Sequence, residues 1–204
     1  TFNLRPEQNE AIKEIKKSDY SICVAPPGFG KTLLGAKIFE IRACTTLIVV
    51  NKNMLLTQWI ERFVDYFGYE KKDIGYLGKG HNKLNGIIDV ATMQSLKNDP
   101  DIINNYSFVI VDECHHIPAI TFEQIIKNFK GKYLLGLSAT PNRKDELQPI
   151  LYQQLGEISY EYTKKTTHIN KVQIIRTEFE SNADNYATII NELCIDENRN
   201  NLII

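Results

Sequence analysis

A chain of 204 residues with 43% hydrophobic and 24% charged residues has the size and composition of one folded domain, or of one domain with part of another. The 24 Lys and Arg against 25 Asp and Glu leave a net charge of −1, so the whole chain carries no basic footprint for nucleic acid, although a local patch can hide in a neutral sum. The longest aliphatic run is four residues, Leu47 to Val50, where a membrane helix needs about 20, and four scattered cysteines (Cys23, Cys44, Cys114, Cys194) without a C-x-x-C pair form no disulfide framework.

Residues 4–17 are amphipathic, with Ile12 and Ile15 on one helical face. Residues 21–25 read as a strand that ends in Pro26-Pro27-Gly28, and residues 31–42 as a helix. A strand rich in β-branched residues is expected over 45–50, then a helix over 54–67 with Leu55, Trp59, Phe63 and Phe67 along one side. Short strands follow at 74–77 and 87–91, and a continuous apolar strand at 108–111. A helix is expected over 121–129 with Thr121 as its cap, a buried strand over 133–137, and an edge strand over 158–162. This alternation predicts an α/β fold with three layers and a mostly parallel central sheet. Near 164–171 the texture turns polar, which places a domain boundary near 165. Residues 1–165 would be one domain and 166–204 a linker with the start of another, carrying a strand at 172–179 and a helix at 183–194. Opening on Thr1 and stopping among apolar residues, the sequence reads as a piece of a longer protein, with reduced thiols and a cytoplasmic location as the default expectation.

Three motifs carry chemistry. Ala25-Pro26-Pro27-Gly28-Phe29-Gly30-Lys31-Thr32 fits a phosphate-binding loop with Ala in place of the first glycine, and it lies between an expected strand and an expected helix. Gly28 and Gly30 let backbone N–H groups turn toward phosphate, Lys31 reaches the β- and γ-phosphates, and the Thr32 hydroxyl suits Mg²⁺. Asp112-Glu113-Cys114-His115 follows an apolar strand, at the sheet edge where α/β proteins bind ligands. There Asp112 can organise Mg²⁺ and Glu113 can orient or deprotonate a water. Ser138-Ala139-Thr140 ends another apolar strand and could bridge the nucleotide to a second surface, or be a plain turn before Pro141. Cys114-His115-His116 are too close in sequence to wrap one tetrahedral zinc. The basic turn Gly78-Lys79-Gly80 with His81 and Lys83 reads equally as a nucleic-acid contact or a solvated hairpin.

Together with Leu4-Arg5-Pro6-Glu7-Gln8, these motifs make the chain resemble the first RecA-like motor domain of superfamily 2 helicases, a P-loop NTPase fold. Leu55-Leu56-Thr57-Gln58-Trp59 and Asp89-Val90-Ala91-Thr92-Met93-Gln94-Ser95-Leu96 resemble the XPB-like and type III restriction-subunit branch, as does Arg143-Lys144-Asp145 after Gly136–Pro141. The resemblance implies ATP and Mg²⁺ as ligands, with Gln8 on the adenine edge and Arg5 beside it. The loop residues Pro27 to Thr32 would hold the phosphates, Thr32 and Asp112 the metal, and Lys31, Asp112, Glu113 and His115 would form the catalytic set. His115 would couple the nucleotide to Ser138 and Thr140, while Asn51, Lys52, Thr92 and Gln94 would touch a nucleic-acid strand. It further implies a second RecA-like lobe as partner, no membrane, and DNA rather than RNA. An ATP-driven DNA helicase or translocase is the leading expectation. A nucleotide switch or scaffold that does not translocate is the alternative, and a small-molecule kinase a third that leaves Ser138-Ala139-Thr140 unexplained.

Overall fold

The computed structural model describes residues 3–116, 119–127, 129–140, 153–163 and 176–202. The chain divides into two compact units, Thr1–Thr163 and Lys164–Ile204.

The first unit is built on one eight-stranded sheet. Its strands are β1 (Tyr20–Val24), β2 (Thr46–Val50), β3 (Gly75–Gly78), β4 (His81–Lys83), β5 (Ile88–Thr92), β6 (Phe108–Val111), β7 (Tyr133–Ser138) and β8 (Ile158–Glu161), in the order β4-β3-β5-β2-β6-β7-β1-β8. Every pairing is parallel except the β3–β4 hairpin. The strands β2, β5 and β6 are buried along their whole length, so β6 and most of β2 are continuous apolar runs, while β5 buries Asp89 and Thr92 among its apolar residues.

The two faces of the sheet feed two separate cores. Along β2, Ile48 and Val50 join the side chains of α1 (Pro6–Ile15), α2 (Lys31–Arg42) and α3 (Asn53–Phe67). Leu47 and Val49 face the other way, into a core shared with α4 (Met93–Leu96), the 3-10 turn Pro100–Asn105 and α5 (Ala119–Ile126). This is the expected three-layer α/β architecture, produced by the strand period of two.

Some local expectations are corrected. Helix α5 starts at Ala119, so Thr121 lies inside it and is not its cap. The inward side of α3 is Leu56, Trp59, Ile60 and Phe63, with Leu55 and Phe67 only half-buried, because a helix of 3.6 residues per turn drifts off a strict four-residue spacing. The basic turn Gly78-Lys79-Gly80 is a hairpin, one of its two expected readings; its second strand, β4, is polar and exposed, and pairing with β3 alone makes it a strand.

In the second unit, α6 (Tyr186–Ile195) is capped by Asn185, whose Oδ1 accepts the Thr188 N–H at 2.8 Å, and α7 (Glu197–Asn200) by Asp196. The strand expected over 172–179 falls partly outside the described residues, and residues 176–179 are not in a strand. Among the described residues no helix is long and apolar enough to cross a membrane.

Candidate functional site

The parallel register brings the chemistry-bearing segments to one edge. Val24 of β1 pairs with Ser138 of β7, and Val49 of β2 with Val111 of β6. The next residues continue these ladders: Ala25 N–H donates to Ser138 O and Asp112 N–H to Val49 O, both at 2.9 Å. The phosphate loop, Asp112-Glu113 and Ser138 therefore leave the sheet side by side at the C-terminal ends of its strands.

Gly28 and Gly30 have φ of +80° and +87°, the left-handed region that other residues enter only with strain, and Gly30 stands at the N-cap of α2. Contacts from the start of α1 brace the loop. Arg5 places its guanidinium 5.6 Å from the Phe29 ring centre and donates to the Phe29 and Gly28 carbonyls. Gln8, buried, donates from Nε2 to Phe29 O at 2.8 Å and accepts the Arg5 N–H at 2.9 Å. The Phe29 ring is itself buried against Tyr160 and Tyr162, which leaves only its backbone for a ligand.

A cleft of about 370 Å³ opens in front of the loop. Pro27, Gly28, Gly30, Lys31, Thr32, Asp112 and Glu113 line it, and Leu55, Gln58, Arg62 and Tyr66 of α3 form the facing wall. Arg5, Gln8 and Phe29 are not among its lining residues. The Lys31 ammonium is buried. It donates to Ala25 O at 2.9 Å and lies 3.5 Å from Glu113 Oε1.

Both oxygens of the buried Asp112 are engaged: Oδ2 accepts Trp59 Nε1–H at 2.8 Å and Oδ1 accepts the Glu113 N–H at 3.0 Å. Burial pushes the Asp112 carboxyl above the usual carboxylate range, and the Trp59 donor opposes that rise by stabilising the charged form. Glu113 has φ of +49°, a left-handed conformation for a residue with a side chain. Such strain costs on the order of 1–3 kcal/mol and gathers at functional sites. Its Oε2 is buried without a hydrogen bond and lies 3.4 Å from His115 Nδ1. That same ring nitrogen is 2.9 Å from Ser138 Oγ, which accepts the Thr140 N–H at 3.2 Å and donates to Thr140 O. The expected catalytic set and the Ser138–Thr140 segment thus form one chain of contacts.

Of the residues expected to touch a strand, Asn51 and Lys52 follow β2, Thr92 closes β5 and Gln94 lies in α4 just beyond it. Lys52 and Gln94 are exposed, and Asn51 is half-buried. Thr92 is buried and caps α4, accepting the Ser95 N–H at 3.3 Å. Trp59, expected along the apolar side of its helix, also bonds to Asp112, 53 residues away, a contact the sequence does not announce. The available signal is chemical: a buried indole N–H needs an acceptor.

The family profile described as "Type III restriction enzyme, res subunit" matches residues 1–143. The chain belongs to this family. A "DNA 3'-5' translocase XPB2" of Sulfurisphaera tokodaii is 38% identical over 162 residues, which are 78% of this chain and 36% of the relative. A "Probable helicase D10" of Escherichia phage T5 is 32% identical over 156 residues, 76% of this chain and 34% of the relative. The UvsW helicase of bacteriophage T4 superposes with a TM-score of 0.69 at 23% identity, covering 78% of this chain and 60% of that one. The chain spans about a third of the length of these two sequence relatives. The fold is that of a RecA-like helicase domain, and the family membership places it on the superfamily 2 branch of XPB-like and type III restriction motors. ATP use comes with that family.

Proposed function

We propose that the chain is the ATP-hydrolysing first lobe of a DNA helicase or translocase. The observation that carries this reading is the meeting of Lys31, Asp112 and Glu113 at one cleft beside a glycine-turned loop and the N-terminus of α2. The loop N–H groups and helix dipole would seat the phosphates, and Lys31 would bind the β- and γ-phosphoryl oxygens. The residues fit a magnesium ion. Thr32 and Asp112 offer hard oxygen donors at the cleft wall, and Mg²⁺ takes few protein ligands beside phosphates and waters. When bound, that ion neutralises charge on the transferred phosphoryl group.

Glu113 is the base in this reading. Its Oε2 is buried with no hydrogen bond of its own, which suits it to take a proton from the attacking water. Moving the Lys31 ammonium from Ala25 O and Glu113 onto a phosphate would free this carboxylate. The contacts Glu113 to His115 to Ser138 to Thr140 would carry the state of the nucleotide to the strand-binding side. Asn51, Lys52 and Gln94 would meet the strand by phosphate and sugar contacts, with Thr92 shaping the turn that presents Gln94. Arg5 and Gln8 stay assigned to the adenine side, and their bonds to Phe29 link that side to the loop.

DNA is favoured over RNA because the 38%-identical relative is named a DNA translocase. Residues 1–165 would be the first lobe, with 166–204 a linker and the start of the second, a division supported by the two compact units. The test is the ATPase rate of the complete protein with and without DNA. Stimulation by DNA that disappears in Lys31→Ala is the expected result, and a rate indifferent to both overturns the reading.

A further inference from the structure

We propose that Trp59 is a positioning residue for Asp112, and through it for the divalent cation that Asp112 would hold. The inference rests on the reading of the cleft given above. Trp59 is the only tryptophan of the 204 residues and is fully buried in the middle of α3. Its Nε1–H reaches Asp112 Oδ2 at 2.8 Å, while the backbone N–H of Glu113 reaches Oδ1 at 3.0 Å. A carboxylate has about four acceptor positions. One bond on each oxygen fixes its plane and still leaves acceptor capacity on both oxygens for a ligand in the cleft that Asp112 lines.

The indole is a stiff support. A β-carbon built on Gly35 of α2 would stand 2.7 Å from Trp59 Cη2, so α2 presses its backbone against the ring edge. Phe63 flanks the ring with centroids 6.0 Å apart. Among the described contacts the Nε1–H has no other acceptor, and a phenylalanine would keep an apolar ring on this helix face but leave Asp112 Oδ2 without that bond. Partners behind a metal ligand typically contribute about 10- to 100-fold in metal affinity or activity by holding the ligand's orientation.

The experiment replaces the N–H and keeps the shape. In the complete protein, Trp59 is exchanged for 3-benzothienylalanine, a bicyclic isostere with sulfur in place of N–H. Mn²⁺ uptake in the presence of a non-hydrolysable ATP analogue is followed by electron paramagnetic resonance, with metal-free analogue binding as the control. The expected result is an Mn²⁺ affinity lower by about tenfold or more. Metal-free nucleotide affinity stays within about twofold, and hydrolysis recovers as Mg²⁺ is raised. Trp59→Phe should shift metal affinity the same way and also lower the melting temperature. A substituted protein that takes up Mn²⁺ within about twofold of wild type overturns the inference. A wild-type protein that takes up no Mn²⁺ with the analogue overturns the reading of the cleft instead.

A second readout does not depend on the isostere folding. The ¹⁵N-indole resonance of Trp59, assigned by its loss in Trp59→Phe, should move in Asp112→Ala and on addition of Mg²⁺ with the analogue. A resonance that ignores both changes overturns the inference.

Discussion

Two adjacent carboxylates have different surroundings, and the backbone is what separates them. Asp112 is held from both sides by Trp59 and by the next peptide, while the left-handed turn at Glu113 directs the second carboxylate toward Lys31 and His115. On the proposed mechanism, Glu113→Gln in the complete protein keeps ATP binding and lowers kcat by at least about 100-fold, because the shape stays and the base is gone. Lys31→Ala should weaken nucleotide binding by about tenfold or more, since a phosphate loses its charged partner. Equilibrium binding and single-turnover hydrolysis separate the two effects. The thiols give an independent check on the packing. Burial pushes Cys23 up to about 12, whereas Cys194 is exposed. Iodoacetamide at pH 8 should modify Cys194 and leave Cys23 intact until the chain unfolds, as peptide mass mapping would report. The same shift has a sign for stability. A thiol raised above its ordinary value of 9.0 supports the fold fully below about pH 9 and loses that contribution as pH rises toward 12. The loop was legible in the sequence because its eight residues are contiguous, and so was the Asp112-Glu113 pair. The indole bond was not, because its partners are 53 residues apart and meet only once α3 packs on the sheet.

At the scale of elements, close approach decides more than propensity. Gly35 lies inside α2, where alanine would normally gain about 1 kcal/mol of helix stability. Here the added methyl would meet Trp59 Cη2 at 2.7 Å and Leu137 Cδ1 at 3.3 Å. Gly35→Ala should therefore destabilise the domain, by about 1–3 kcal/mol in urea unfolding, with the indole environment disturbed as well. A second junction fixes the loop before β5. Asp89 is fully buried and accepts from the Asn85 N–H at 2.9 Å, the Gly86 N–H at 2.7 Å and the Tyr106 hydroxyl at 2.6 Å. Burial and then the Asp89 bond hold the Tyr106 hydroxyl well above its ordinary range. Tyr106→Phe should cost about 1–3 kcal/mol, because it removes a donor from a buried carboxylate. The bounds of α2, Lys31 to Arg42, are those expected from the sequence. The start of α5 was misread because Thr121 resembles a cap, while Pro118 in the sequence is the stronger start signal.

For the molecule as a whole, the proposed division of labour between lobes sets what residues 1–204 can do alone. The phosphate loop and both acids are present, so weak nucleotide binding is expected. Hydrolysis should lag the complete protein by about 10³-fold or more, because an arginine finger from a second lobe is worth that much. Steady-state ATPase of the two, side by side with DNA, measures it, and comparable rates would assign the whole reaction to this chain. The α/β architecture could be read from alternating patterns, and the turn at Gly78-Lys79-Gly80 as one of two readings, a hairpin, but the strand His81–Lys83 at the sheet border could not, since it shows no apolar alternation. That border has a consequence for solubility. An open sheet ends in unpaired backbone groups, a template on which other chains can stack. Here the last strand is three residues long, fully exposed, and carries a lysine and a histidine. A short, charged rim offers an incoming strand few bonds and a repulsive surface, so the hairpin caps the sheet against growth into aggregates.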